Sequence, residues 1–517
     1  MCYHLEKQNQ CTVSERNGQL VFLLNSEILL PENAPVRLTS AQLEELDYRE
    51  LYRAYSPRGR KSKVDPRVLF KVVVYGYECG IYSSRKLEEA CRYRVDFMWL
   101  LEDRAAPDHA TLARFRHRCT QPIETLFYQY VLQLEKQGEC DHKTVFIDGT
   151  KMESRAGRYT FCWRGSVEKH LQATKEKVEK LSGLESLSAL REHLKKTKED
   201  IAFVYGKGRR KGAEQHRWDE LDELRQRWEG YEKSLEIMGT GRNSYSKTDP
   251  DATFMRMKED HMRNGQLKPA YNVQIAVNSE YITGVDVFSN RTDHGTFIPF
   301  MKRMQNMQQA KYEEVTADAG YESLENYLYL GCNGQTSFIK PANCEVQKTK
   351  KFKRQIGRIE NMRYDGDADC FICAQGRRLQ LRRECTEIKN GQENTVAWYR
   401  CEDCGNCPQR TACCKAKDAD QQKEVKWQKT FWEKRAISQA HIASERGVYL
   451  RMCRSIQVEG AFALLKHDFG FRRFLTRGKE NIRTELFFLA LAFNLKKLWM
   501  KRENNRLLTH LSKIRIA

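Results

Sequence analysis

The chain has 517 residues and a formal net charge of +20, a size at which roughly two to four packed units are expected rather than one core. A pI near 9.2 favours partners built on phosphate chains and makes their binding salt-dependent, although such an excess also serves plain solubility. No stretch reaches the roughly 18 to 20 continuous apolar residues of a bilayer span, and residues 1–8 lack the apolar core of a signal peptide. The 18 cysteines are therefore expected as reduced thiols or metal ligands in the cytoplasm, not as a disulfide framework.

In chain order, residues 19–24 suit a strand, and a helix is expected from near Ser40. From Asp65 the pattern turns helical: Pro66 fits a first turn, and Val68, Leu69, Val72, Val73 and Tyr75 share an apolar face. Gly76 and Gly80 break it, and Ser83 and Ser84 cap a second helix carrying Leu87, Ala90 and Cys91. A third helix starts at Asp108 or Thr111 and exposes Arg114, Arg116, His117 and Arg118. Three short helices with a basic last one suit a DNA-reading unit, and equally a dimerising or simply packing bundle.

Thr144-Val-Phe-Ile-Asp148 reads as a short buried strand that Gly149 stops. Residues 166–240 carry Leu171, Val178, Leu181, Leu190 and Leu194 at helical intervals, a basic run at 207–212, then Trp218, Leu221, Leu224, Trp228 and Tyr231. This reads as a helical hairpin whose stripe is a core-facing seam and whose basic tip can touch a phosphate chain. Residues 270–277 alternate, 278–280 turn and 281–288 return. A helix over 296–307, a strand ending at Asp318, a helix over 324–330 and a strand over 336–340 follow. That order is a mixed α/β layer, antiparallel first and parallel later, and it sets Asp148 beside Asp318 if their strands are neighbours. His294, which follows Asp293 in a strand-to-helix loop, reads as structural rather than catalytic.

Eight cysteines fall between 370 and 414. Paired Cys-x2-Cys knuckles about thirty residues apart point to tetrahedral Zn²⁺. Cys373, Cys404, Cys407 and Cys413 are the preferred ligands, with Cys370, Cys401 and Cys414 as substitutes and a metal-free cluster as the alternative. Beyond them, Glu459 lies in a helix-like stretch, and Lys466 falls seven residues on, nearly on the same face. That lysine can hold a phosphate, or make only a surface ion pair. Residues 471–479 form a basic loop with interleaved aromatics, and 483–500 an apolar core helix. Two aspartates at strand ends and a glutamate on a helix suit two Mg²⁺ (or Mn²⁺) ions, which take hard oxygen ligands and activate phosphoryl chemistry. Each acid alone is an ordinary turn or surface residue.

Six stretches carry a resemblance: Asp65-Pro-Arg-Val-Leu-Phe-Lys71, Gly80-Ile-Tyr-Ser-Ser-Arg-Lys-Leu-Glu-Glu-Ala-Cys91, Pro107-Asp-His-Ala-Thr-Leu-Ala-Arg-Phe-Arg116, Phe146-Ile-Asp-Gly-Thr-Lys151, Thr316-Ala-Asp-Ala-Gly-Tyr321 and Val458-Glu-Gly-Ala-Phe462. In this order, over nearly the whole chain, they resemble bacterial insertion-sequence transposases of the DDE type, specifically the IS1182-like group within the broader IS4-like set. The resemblance implies an RNase H-like catalytic core with Asp148, Asp318 and Glu459 as metal ligands and Lys466 beside them. It divides the chain into an N-terminal helical domain for end recognition or dimerisation (1–135), the core (140–165 and 246–342), a charged helical insertion (166–245), a cysteine-rich, zinc-ribbon-like insertion (343–440) and C-terminal helices (441–517). Implied with it are metal-dependent cleavage and strand transfer, double-stranded DNA as partner, a homodimer on that DNA, no membrane, and a nucleoid-associated location in the cytoplasm. Arg114, Arg116, Arg118, Arg454, Arg472, Arg473, Arg477 and Lys479 are the expected DNA contacts. One departure stands out. The Tyr-x2-Arg-x3-Glu-x6-Lys signature common in IS4-like enzymes keeps its Glu459 to Lys466 spacing here, but Met452 holds the tyrosine position and Ser455 the arginine position, with Arg454 one residue away. Two other classes stay open: a catalytically idle DNA-binding regulator, and an RNase H-like nuclease that cuts without joining.

Overall fold

A computed structural model describes residues 29–55, 62–102, 104–205, 210–257, 265–389, 392–414 and 421–510. The strand expected at 19–24 and residues 207–209 of the basic run at 207–212 lie outside the described residues.

The centre is a six-stranded mixed sheet in the order β4-β5-β1-β7-β8, with β6 also on β5. Its strands are β1 (Thr144–Glu153), β4 (Thr253–Arg256), β5 (Leu267–Asn278), β6 (Tyr281–Phe288), β7 (Glu314–Ala317) and β8 (Thr336–Ile339); β2 (Phe161–Trp163) and β3 (Ser244–Ser246) pair separately. Gly149 does not stop β1. The strand runs on to Glu153, because its second edge pairs antiparallel with β5 from Phe146↔Val277 through Gly149↔Gln274 to Glu153↔Ala270. On the other edge β1 pairs parallel with β7, from Thr144↔Glu314 to Ile147↔Ala317, and β7 pairs parallel with β8. The expected hairpin forms, and Ser279 and Glu280 turn it with φ of 51° and 74°. Two successive left-handed residues give the turn twist that joins antiparallel strands without splaying them.

Residues 482–495 are apolar almost all round, and the helix that contains them, Lys479–Glu503, is buried along that length. It crosses β6 and the helices Pro66–Glu78 and Pro122–Lys136. Asn494 closes the free edge of β6: its Oδ1 accepts from Ile282 N at 2.8 Å and its Nδ2 donates to Ile282 O at 2.7 Å. Tyr77 stacks on Phe488 (5.6 Å between centroids) and Phe127 meets Phe487 (5.3 Å). The N-terminal helices therefore share one apolar core with the sheet. Among them, the helix expected from near Ser40 begins at Pro35, five residues earlier, and His109–Arg118 is capped by Asp108, whose side chain accepts from Thr111 N.

Two further units depart from expectation. The charged stretch is three helices, Arg164–Ser182, Leu187–Asp200 and Ala213–Met238, not a two-helix hairpin. Gly183, at φ 69°, ends the first of them in the left-handed conformation that favours glycine. They close on a separate seam of Leu171, Val178, Leu190, Leu194, Leu221 and Trp228. The cysteine-rich stretch is a five-stranded antiparallel sheet of β9 (Arg363–Asp365), β10 (Cys370–Ile372), β11 (Arg378–Lys389), β12 (Gln392–Cys401) and β13 (Glu424–Trp427). Its own core is aromatic: Tyr364, Phe371 and Tyr399 gather around Trp427 at 4.5–5.9 Å.

Candidate active site

Because β7 ends opposite Ile147, the residue after it, Asp318, follows directly alongside Asp148. Asp148 is 8% exposed, and its Oδ1 accepts from Gly149 N at 2.8 Å. Asp318 is half-buried and caps the short turn Ala319–Tyr321, accepting from Gly320 N at 2.9 Å. Both carboxylates are thus oriented by the amides that follow them, charge-assisted bonds that fix direction as well as position.

A third carboxylate joins them, one that sequence reasoning passed over in favour of its neighbour His294. Asp293 follows β6, which runs in the same direction as β1, so its loop emerges at the same end of the sheet. Its Oδ1 accepts from Asn272 Nδ2 at 2.6 Å and Gln274 Nε2 at 3.0 Å. A Cβ on Gly149 would stand 2.7 Å from Asp293 Oδ1, and one on Gly320 would stand 3.3 Å from Asp293 Oδ2. Asp293 is therefore wedged between β1 at Gly149 and the turn that follows Asp318. The buried Tyr321 donates to Gln274 Oε1 from below; burial raises its hydroxyl well above the ordinary value, and Asp293, Asp148 and Asp318 push it further the same way. The signal available in the sequence was directional: an acid just beyond a strand parallel to β1. His294 is exposed and contributes its carbonyl to Asn326.

Facing this cluster is a helix of irregular winding. Glu445–Arg454 continues into a π turn (Ser455–Glu459), one α turn (Gly460–Ala463) and a second π turn (Leu464–Asp468). The first π turn packs against β1 and β5 and brings Arg454 Nη1 to 3.2 Å from Asp148 Oδ2. Glu459 is exposed. Seven residues return to one face only in a regular α-helix. With π turns on both sides, the spacing from Glu459 to Lys466 no longer guarantees a shared face. Among the described residues, no three His, Cys, Asp or Glu are arranged to hold a metal ion. In kind, however, the site suits a hard divalent cation. Three carboxylates meet at one end of the sheet with the Arg454 guanidinium against one of them, leaving an excess of negative charge.

The expected zinc ligands find no such arrangement. Cys373, Cys401, Cys404 and Cys413 adjoin the aromatic core of the second sheet, which supplies the burial that a metal was expected to replace. Burial, with Cys404 and Cys373 nearby, pushes the Cys401 thiol up to about 12. Cys370 is buried, and Cys407 and Cys414 are partly exposed.

Of the basic candidates, Arg114, Arg118, Arg472, Arg473 and Arg477 are exposed. Arg118 lies over Tyr55, Arg473 donates to Ser154 O and Ala156 O, and half-buried Lys479 lies over Phe288. Arg116 and Arg454 are largely withdrawn from the surface.

Residues 24–118 match a family described as a transposase domain (DUF772), and residues 372–499 match the transposase DDE domain. The second match spans Arg454, Glu459 and Lys466, whereas Asp148 and Asp318 fall outside both. The matches stand at the level of transposase domains and do not single out the IS1182-like group. No curated protein and no solved structure matches the chain.

Proposed function

We propose that the protein is a DDE-type DNA transposase of the IS1182-like group, built on an RNase H-like core, that cuts DNA at element ends and joins the freed 3′ ends to target DNA. The observation that carries this reading is the juxtaposition of Asp148, on β1, with Asp318, which directly follows the adjacent parallel strand β7, in a chain with transposase-domain matches on either side. Asp148, Asp318 and Glu459 would hold divalent magnesium. When bound, the ion supplies a lowered pKa for the attacking water and charge stabilisation for the leaving 3′ oxygen. Asp293 braces β1 at Gly149 and the turn after Asp318, and Lys466 holds a phosphate oxygen. Exposed Arg114, Arg118, Arg472, Arg473 and Arg477 neutralise the duplex backbone, and two copies of the chain bring two ends together. Zinc has no part in this reading.

The test is incubation of the purified chain with Mg²⁺ and DNA carrying the repeats that flank its coding locus, then with pre-cut ends and target DNA. Site-specific nicks and joined products are expected. Binding without metal-dependent cleavage at any concentration would sink the proposal. One observation favours a second reading, an idle DNA-binding regulator: Arg454 is paired with Asp148 while Glu459 is exposed. Cleavage without joined products would instead indicate a nuclease.

The glycine after Asp148 allows a separate check on the bracing role. A Cβ at Gly149 would meet Gln274 Nε2 at 2.5 Å and Asp293 Oδ1 at 2.7 Å, so Gly149→Ala must displace both side chains. Cleavage is expected to fall about a hundredfold, the scale of an ångström-sized misplacement of reacting groups. The melting temperature should shift by only a few degrees, because the atoms that must give way are side-chain ends. Unchanged cleavage would remove Asp293 from the site.

A further inference from the structure

Two arginines show what a settled ion pair looks like in this chain. Arg303 reaches both oxygens of Glu124 at 2.6 Å each, and Arg446 reaches both oxygens of Glu314 at 3.1 and 2.6 Å, all through aligned N–H groups. Arg454 meets Asp148 differently. Its Nη1 stands 3.2 Å from Asp148 Oδ2, yet that buried nitrogen makes no aligned hydrogen bond. At that nitrogen the contact rests on charge and not on direction. The side chains of Arg454 and Asp148 keep 18% and 12% of their surface, so part of each stays at the protein boundary.

Asp318 follows the strand beside Asp148, and Asp293 adjoins both Gly149 and Gly320. Carboxylates gathered so closely repel one another, and a cation among them relieves the repulsion. The winding that carries Arg454 also allows it to move. Arg454 is the last α-wound residue before the π turn Ser455–Glu459. A π turn closes on i→i+5 bonds and holds one residue more than an α turn. Rewinding it as α turns the residues beyond it by about one position, roughly 100°, relative to those before it. Arg454 stands at the near side of that step, and exposed Glu459 at its far end. The turn is also imperfectly seated: Gln457 Oε1 accepts from Glu280 N at 3.0 Å, but its buried Nε2 is unpartnered.

We propose that Arg454 is a displaceable counter-ion that neutralises Asp148 until a divalent cation binds there, and so sets how tightly the site takes metal, a reading that rests on the function proposed above. A divalent ion and a guanidinium on one carboxylate oxygen repel across a few ångströms. Each therefore weakens the hold of the other, a coupling that is reciprocal. Departure of Arg454 is part of metal binding, and the π turn supplies the rotation that lets it leave. The same rotation re-aims Glu459, the proposed third ligand.

The test measures Mn²⁺ binding to the DNA-free full chain by electron paramagnetic resonance, which counts the free ion. Arg454→Gln is expected to bind Mn²⁺ about tenfold tighter than the parent at one site, an ordinary size for coupling between two ligands. Arg454→Lys keeps the charge and should bind like the parent. Adding Asp148→Asn to Arg454→Gln should abolish the gain. Melting temperature gives a second readout, since Mn²⁺ should raise that of Arg454→Gln more than that of the parent. Arg454→Met, which fills similar space, takes the place of the glutamine variant if that one fails to unfold cooperatively. Unchanged or weaker Mn²⁺ binding in the folded variant, or a gain that survives Asp148→Asn, would overturn the proposal and leave Arg454 a structural partner only. Absence of Mn²⁺ binding in every one of these proteins would instead overturn the functional reading, and this one with it.

Discussion

Asp148→Ala and Asp318→Ala are each expected to lower DNA cleavage by about a thousandfold or more, the upper range for removing one group that stabilises charge at the reacting centre. Binding of the same DNA should stay within about threefold, because affinity comes chiefly from neutralised phosphates, and removing a carboxylate from a surface that faces DNA removes repulsion. Asp148 needs a control that Asp318 does not. It is 8% exposed and paired with Arg454 at 3.2 Å, so alanine leaves a guanidinium without its partner. Asp148→Asn keeps the shape and separates lost chemistry from lost stability. Glu459→Gln tests the proposed third ligand from an exposed position. A loss as large as that of the aspartates would mean that the π-wound segment delivers Glu459 to the site when DNA is bound. A triad of inert substitutions, with cleavage intact, would end the DDE account.

The largest expected effect on stability lies at the far end of the carboxyl-terminal helix. Lys501 and Glu139 have side chains only 1% and 3% exposed and are joined at 2.6 Å. Glu139 also accepts from Tyr281 Oη at 2.9 Å and Leu508 N at 2.5 Å, while Lys501 donates to Thr509 O at 3.3 Å and lies 4.8 Å from the centre of the Tyr281 ring. Every charged oxygen is satisfied, so the pair is held rather than merely buried. Lys501→Met strands the carboxylate and is expected to cost about 3–5 kcal/mol in urea unfolding. Adding Glu139→Gln should recover much of that, since replacing a whole buried pair is far cheaper than breaking it.

The same network has a pH signature. Burial alone would raise the Glu139 pKa, but the Lys501 bond, the Leu508 amide and the Tyr281 hydroxyl outweigh it and hold the value below the ordinary one. A depressed folded pKa contributes stability above the unfolded value of about 4.3, and that stability is lost as pH falls through the folded value. The parent should therefore lose stability more steeply than Glu139→Gln as pH drops below about 4.3. Parallel pH profiles for the two proteins would show that the pair contributes nothing.

The amino-acid sequence by itself determined the local elements: the hairpin at 270–288, the strand leading to Asp318, a helix starting at Asp108 or Thr111 and the apolar helix over 483–500. These follow from periodicity, turn chemistry and capping, which act within a few residues. It set Asp148 beside Asp318 only on the condition that their strands are neighbours, and the parallel pairing of β1 with β7 meets that condition. Tertiary structure alone decided the rest. Gly149 sits inside β1, not at its end, because β5 offers a partner edge that no local pattern announces. Asp293 reaches the site from a loop more than a hundred residues after Asp148, through amides on β5. Arg454, not Glu459, lies on Asp148, because helix winding sets which residue faces the sheet. Local rules state what a segment can be; which side chains meet is a property of the edges and faces it is packed against.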